Sequence, residues 1–130
     1  MVDANEEFDA IVAEMEYYKQ QGGSTIVDNT TIGIARNVDF LRRVSEKSSV
    51  NIVAGAGYYV DVAHPPEMQK LREEDITQQI VQELTEGCDG TNIKAGVIGE
   101  IGCSWPLTGK YHSTCNTYWQ KVLWSQWSHP

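Results

Sequence analysis

The sequence predicts an α/β fold built on a parallel sheet. Three observations carry that reading. Segments with helical period alternate with short β-branched runs, three times over and in the order helix, strand, helix, strand, helix, strand. The β-branched runs are almost continuously apolar, as strands covered on both faces are. The segments joining them are long enough to be helical crossovers, which makes consecutive strands parallel.

The first helix is expected over residues 3–21. Phe8, Ile11, Val12, Met15 and Tyr18 recur every three or four residues, acidic side chains fill the first turn, and Gly22-Gly23 supplies the stop. Thr25-Ile26-Val27-Asp28 follows as a strand. A second helix fits residues 35–47, with Val38, Leu41 and Val44 on one side and Asn37 and Asp39 near its start. The second strand is Val50-Asn51-Ile52-Val53-Ala54-Gly55. A polar and aromatic loop, residues 57–66, leads to a third helix over 73–86. Ile76, Ile80, Val81 and Leu84 form its apolar stripe, and Gly87 ends it. Residues 94–102 complete the set as a third strand.

Two architectures accommodate this pattern, an open doubly wound sheet and a closed eight-stranded barrel. Both place chemistry at the carboxyl ends of the strands. In this chain those ends are Asp28, the loop from Gly55 to His64, and Glu100. Glu100 interrupts an apolar run, and a buried carboxylate is costly unless paired, protonated or bound to a cation. The plainer alternative is a strand-end glutamate reaching solvent or a neighbouring lysine. Tyr58, Tyr59 and His64 either contact a ligand or pack the loop over the core. Gly55-Ala56-Gly57 lacks the third glycine of a dinucleotide fingerprint, and Pro65-Pro66 prevents a helix from starting there, so these glycines serve tight turning at the rim.

Length and composition narrow the function classes. The chain has 130 residues, enough for one ordinary domain. With 41% apolar and 22% charged residues it suits a globular protein. The net charge of −8 argues against a nucleic-acid partner. The basic group Arg36, Arg42, Arg43 and Lys47 falls at helical spacing and reads as a solvated helix face. No apolar run reaches membrane-spanning length, and the acidic start is unlike a secretory signal, so a cytoplasmic protein without a membrane partner is expected. Cys88, Cys103 and Cys115 are odd in number and widely spaced, which disfavours a zinc knuckle or a disulfide framework. Residues 109–130 hold three of the four tryptophans and no acidic residue. That segment reads as an atypical tail outside the domain of residues 1–108.

The wording of the chain also resembles a known family. Gly23-Ser24-Thr25-Ile26-Val27-Asp28, Arg36-Asn37-Val38-Asp39-Phe40-Leu41, Val50-Asn51-Ile52-Val53-Ala54-Gly55-Ala56-Gly57-Tyr58-Tyr59, His64-Pro65-Pro66 and Ala95-Gly96-Val97-Ile98-Gly99-Glu100-Ile101-Gly102 are similar, in order, to the phosphotriesterase family. The resemblance implies a partial (β/α)8 TIM barrel of the metal-dependent hydrolase type. About three strands, the family's second to fourth, would be present and the barrel would not close. It implies a site for two divalent ions, usually zinc, in which Glu100 takes the place of the acidic group bridging them. Tyr59 would line the substrate pocket and His64 would lie beside it. The implied substrates are phosphotriesters, lactones and small amides, among them N-acyl amides such as N-acetyltaurine.

Departures from the family matter equally. Its first strand carries a His-x-His pair that this chain lacks, and the chain stops before the further ligands of strands five, six and eight. The expectation is a truncated form, inactive alone. Two readings stand beside it. One is a non-catalytic interaction module whose open sheet edges and Trp-rich tail pair with a partner, the open edges also allowing self-association. The other is a small open α/β domain binding a ligand at the 57–64 loop.

Overall fold

The computed structural model describes residues 4–102, and the 109–130 segment lies outside them. Three helices and three strands alternate as α1 (Ala4–Gln20), β1 (Thr25–Asp28), α2 (Val38–Ser48), β2 (Asn51–Ala56), α3 (Glu73–Thr85) and β3 (Val97–Ile98). The sheet order is β1-β2-β3 and both pairings are parallel. Thr25 stands opposite Asn51, and Asp28 opposite Ala54. Gly55 and Ala56 face Val97 and Ile98.

Each helix ends where local chemistry stops it. Asn37 caps α2 by accepting the Phe40 amide at 3.0 Å, which satisfies one of the orphan donors of the first turn. At the other end Ser49 turns left-handed at φ 58°, and its amide donates to Ser45 O. Two hydroxyls then tie this corner to β2: Ser48 Oγ accepts from Val50 N, and Ser45 Oγ donates to Val50 O at 2.7 Å. At the start of α3 the Asp75 carboxylate accepts from Arg72 N while the Arg72 guanidinium holds its other side.

The core lies between α2, α3 and the sheet face they cover. Val38, Ala54, Ala56, Ile76 and Ile80 are its buried centre, with Ile98 and Leu41 packed against it. Helix α1 leans on α2 through an edge-to-face pair, Phe8 on Phe40 at 5.8 Å, with the Arg43 guanidinium 4.7 Å from the Phe8 ring centre.

Several expected details differ. Helix α2 begins at Val38 rather than at residue 35, because the Asn37 cap fixes its first turn. Arg36 therefore precedes the helix, and its side chain is 1% exposed, which corrects the reading of a solvated basic face. Val81 is 43% exposed and belongs to the outer side of α3; Ile76 and Ile80 are buried, Leu84 packs against the core as expected, and the stripe also carries, unexpectedly, the buried Glu83. Residues 57–66 are not a plain loop: 3₁₀ turns occupy Asp61–Ala63 and Pro66–Lys70. The third strand is two residues long instead of nine.

Candidate functional site at the carboxyl ends of the strands

Three strand ends meet at one rim of the sheet. The β1 exit, residues 29–31, crosses toward β3, and Asn29 O accepts the Glu100 amide at 3.1 Å. Thr31 Oγ1 donates to Glu100 O at 3.4 Å. Gly99 N donates to Ala56 O at 2.7 Å, joining the β2 and β3 exits. This crowding requires glycine. A Cβ on Gly99 would stand 2.8 Å from Asn29 O, and one on Gly55 would stand 3.1 Å from Gly99 Cα.

Glu100 sits two residues past the end of β3, and its side chain is exposed. It is not the buried strand residue that the apolar run suggested, so the desolvation argument for a bound cation does not apply to it as the chain stands. Its backbone is held by Asn29 and Thr31, and among the described residues no hydrogen bond or ion pair holds its carboxylate. The carboxylate of Asp28, at the end of β1, accepts Thr30 N at 3.0 Å and so shapes the β1 turn.

The aromatic loop packs tightly. Tyr58 is buried, and its hydroxyl donates to Gln79 Oε1 at 2.6 Å. Burial first, and then the negative Glu83 nearby, push this phenol up to about 12. The His64 ring is 7% exposed and stands edge-on to Tyr58. Its Nε2 is 2.7 Å from Tyr59 O, and its Nδ1 faces Asp61 at 3.7 Å. His64 thus closes the loop that carries Tyr59. The structure brings Tyr59 and His64 together and sets Glu100 at the neighbouring strand end.

A polar cluster that the sequence reading missed lies behind this rim. Arg36 donates all five of its N–H groups: two to Glu83, two to Asp89 and one to Gly55 O, at 2.6–3.1 Å. Glu83 Oε2 also accepts Gly57 N at 3.3 Å. The paired carboxylates hold the guanidinium above its ordinary range, against the opposing effect of its own burial. Two signals marked the cluster: the cap residue Asn37, which leaves Arg36 outside the helix, and a glutamate seven residues after Ile76, on the apolar stripe.

Among the described residues no group of three or more His, Cys, Asp and Glu side chains could hold a metal ion, and no helix is long and apolar enough to cross a membrane.

Known proteins share this arrangement. A profile of the phosphotriesterase family matches residues 1–116. Phosphotriesterase-related protein of Nematostella vectensis is 56% identical over 104 residues, which span 80% of this chain and 30% of that protein. N-acetyltaurine hydrolase of Homo sapiens is 48% identical over the same proportions. This chain therefore spans about a third of the length of the curated relatives it matches. The crystal structure of a resiniferatoxin-binding protein from Rhodobacter sphaeroides superposes with a TM-score of 0.83 at 37% identity, covering 89% of this chain and 32% of that one. The phosphotriesterase homology protein from Escherichia coli, crystallised with phosphate in its active site, gives 0.80 at 28% identity, covering 88% and 41%. The parallel three-stranded unit is thus part of a phosphotriesterase-type (β/α)8 barrel, and the chain belongs to the phosphotriesterase family.

Proposed function

We propose that this chain is a section of a metal-dependent hydrolase that cleaves an N-acyl amide of the N-acetyltaurine type. In this reading Glu100 is the carboxylate it contributes to a two-ion zinc site, and Tyr59 and His64 belong to the pocket wall. The observation that carries it is the convergence of the β1 and β2 exits on the Gly99–Glu100 backbone after β3, at the end of the sheet where this architecture binds substrates. The substrate class draws support from the N-acetyltaurine hydrolases of frog, zebrafish and human, at 48%, 50% and 48% identity.

The described residues do not by themselves fit a two-ion group. They offer one exposed strand-end carboxylate, whereas each zinc ion takes about four ligands. His64 has its ring turned to Tyr59 O and Tyr58, which makes it a strut of the loop instead of a ligand. What these residues do is structural and preparatory. Glu100 presents a carboxylate at a fixed backbone position, and the Tyr58–His64 packing fixes the loop beside it. Alone, the chain is inactive.

The test is to purify the 130-residue chain, add zinc, and follow release of taurine from N-acetyltaurine together with hydrolysis of an acetyl ester. No zinc-dependent release above background is expected. Sustained turnover that disappears in Glu100→Ala would overturn the proposed inactivity.

A further inference from the structure

The pairing of β1 with β2 has a gap. Their ladder runs to Asp28 opposite Ala54, stops, and resumes at a single parallel bridge between Ile32 and Tyr58. The two points lie four positions apart on each segment, with three residues between them, so the register is kept although the hydrogen bonds are not. Across the gap, the β2 groups that face the β1 side still have partners, and these are side chains. Gly55 O accepts from Arg36 Nη1 at 3.0 Å, and Gly57 N donates to Glu83 Oε2 at 3.3 Å. Ladder bonding returns at Ile32 N to Gly57 O, 3.0 Å. Arg36 and Glu83 are themselves joined by a two-pronged ion pair, 2.9 and 2.7 Å, and their side chains are 1% and 5% exposed.

The β1 segment released from the ladder is the one that reaches Glu100. Freed from pairing, residues 29–31 fold over Gly55, and Asn29 O and Thr31 Oγ1 take hold of the Glu100 backbone. If Gly55 O and Gly57 N lacked side-chain partners, two buried backbone groups would be left unsatisfied. Continued pairing with residues 29–31 would then be the alternative that satisfies them.

We infer that Arg36 and Glu83 are positioning residues for Glu100: they replace a missing stretch of ladder between β1 and β2, and so keep residues 29–31 free to hold the strand-end carboxylate. The same pair sets the Gly55–Gly57 bend from which Tyr58 and Tyr59 depart. Their role toward Glu100 rests on the hydrolase reading above, whereas the surrogate ladder does not.

Amide hydrogen exchange on the full chain tests this without any assay of activity. In Arg36→Lys the charge stays and both forked contacts are lost. The Gly57 and Glu100 amides are expected to exchange roughly tenfold faster relative to the Ile80 amide in α3, which reports the core. An unchanged ratio, or equal acceleration of all three amides, would reduce the pair to a general staple and overturn the inference. Should Arg36→Lys not fold, Glu83→Gln takes its place. Its amide offers one acceptor oxygen where the carboxylate offers two, so contacts to Arg36 and Gly57 N are lost, and the same two amides should quicken relative to Ile80. An unchanged ratio there contradicts the inference equally. Absence of hydrolysis leaves these results untouched, so failure of the inference and failure of the hydrolase reading are separable.

Discussion

The Arg36 side chain, 1% exposed, binds two carboxylates and a backbone carbonyl, so its removal strands the buried Glu83 carboxylate and Gly55 O. Arg36→Ala is expected to cost about 3–5 kcal/mol, the usual penalty for breaking a buried pair from one side, read as a shift in the denaturation midpoint. Arg42, half exposed beside Asp39 and Glu46, serves as the contrast. Its alanine variant should change stability by less than about 1 kcal/mol. Tyr58 makes a second prediction at this scale. Its phenol is pushed from 10.0 to about 12, so the unfolded chain loses that proton before the folded one does. The contribution is complete below pH 10 and is lost as the pH rises toward 12. Alkaline unfolding of Tyr58→Phe should lack that component; an identical pH dependence in both proteins would contradict the cause given for the shift. Of these residues, sequence reasoning located Glu100, Tyr59 and His64 by their place after strands. For Glu100 it left a buried strand position and a solvent-reaching strand end both open, and the structure takes the second. It misread Arg36 as solvated, because the spacing of residues along a chain reports a helical face only where a helix exists.

At the scale of elements, caps and glycines decide the boundaries. Asn37→Ala should cost about 1 kcal/mol through loss of the Phe40 contact, measured by urea denaturation. In α3 the hydrogen bonds from Arg72 hold the Asp75 carboxyl below its ordinary range. A depressed carboxylate stabilises the fold above the ordinary carboxylate range, and that contribution fades as pH falls through the lowered value. Asp75→Asn should therefore flatten the acid limb of the stability curve, by a small amount because the pair is exposed. The helices and the first two strands were legible because their apolar periods, acidic first turns and glycine stops agree with one another. The third strand was not. Ala95-Gly96-Val97-Ile98-Gly99 is apolar enough to read as a long strand, yet pairing stops at Ile98. Beyond it Gly99 and Glu100 bond to the β2 and β1 exits, and no periodicity announces such a turn.

At the scale of the whole molecule, the described residues form a three-stranded parallel unit in which β1 and β3 are the two ends of the sheet. Val27, on the β1 end, is 55% exposed. The parallel topology followed from the alternation of helix and strand. A barrel, as against an open sheet, did not follow from the residues and came from likeness to a family, since three strands satisfy either architecture. The same limit governs the chemistry: the three strand ends converge at one rim, and among the described residues no group of three or more metal-binding side chains stands there. Equilibrium dialysis against zinc, with metal content measured per chain for the native sequence and for Glu100→Gln, tests this most directly. The account predicts no stoichiometric zinc in either protein at micromolar free metal. Two ions retained by the native chain and lost in Glu100→Gln would contradict it.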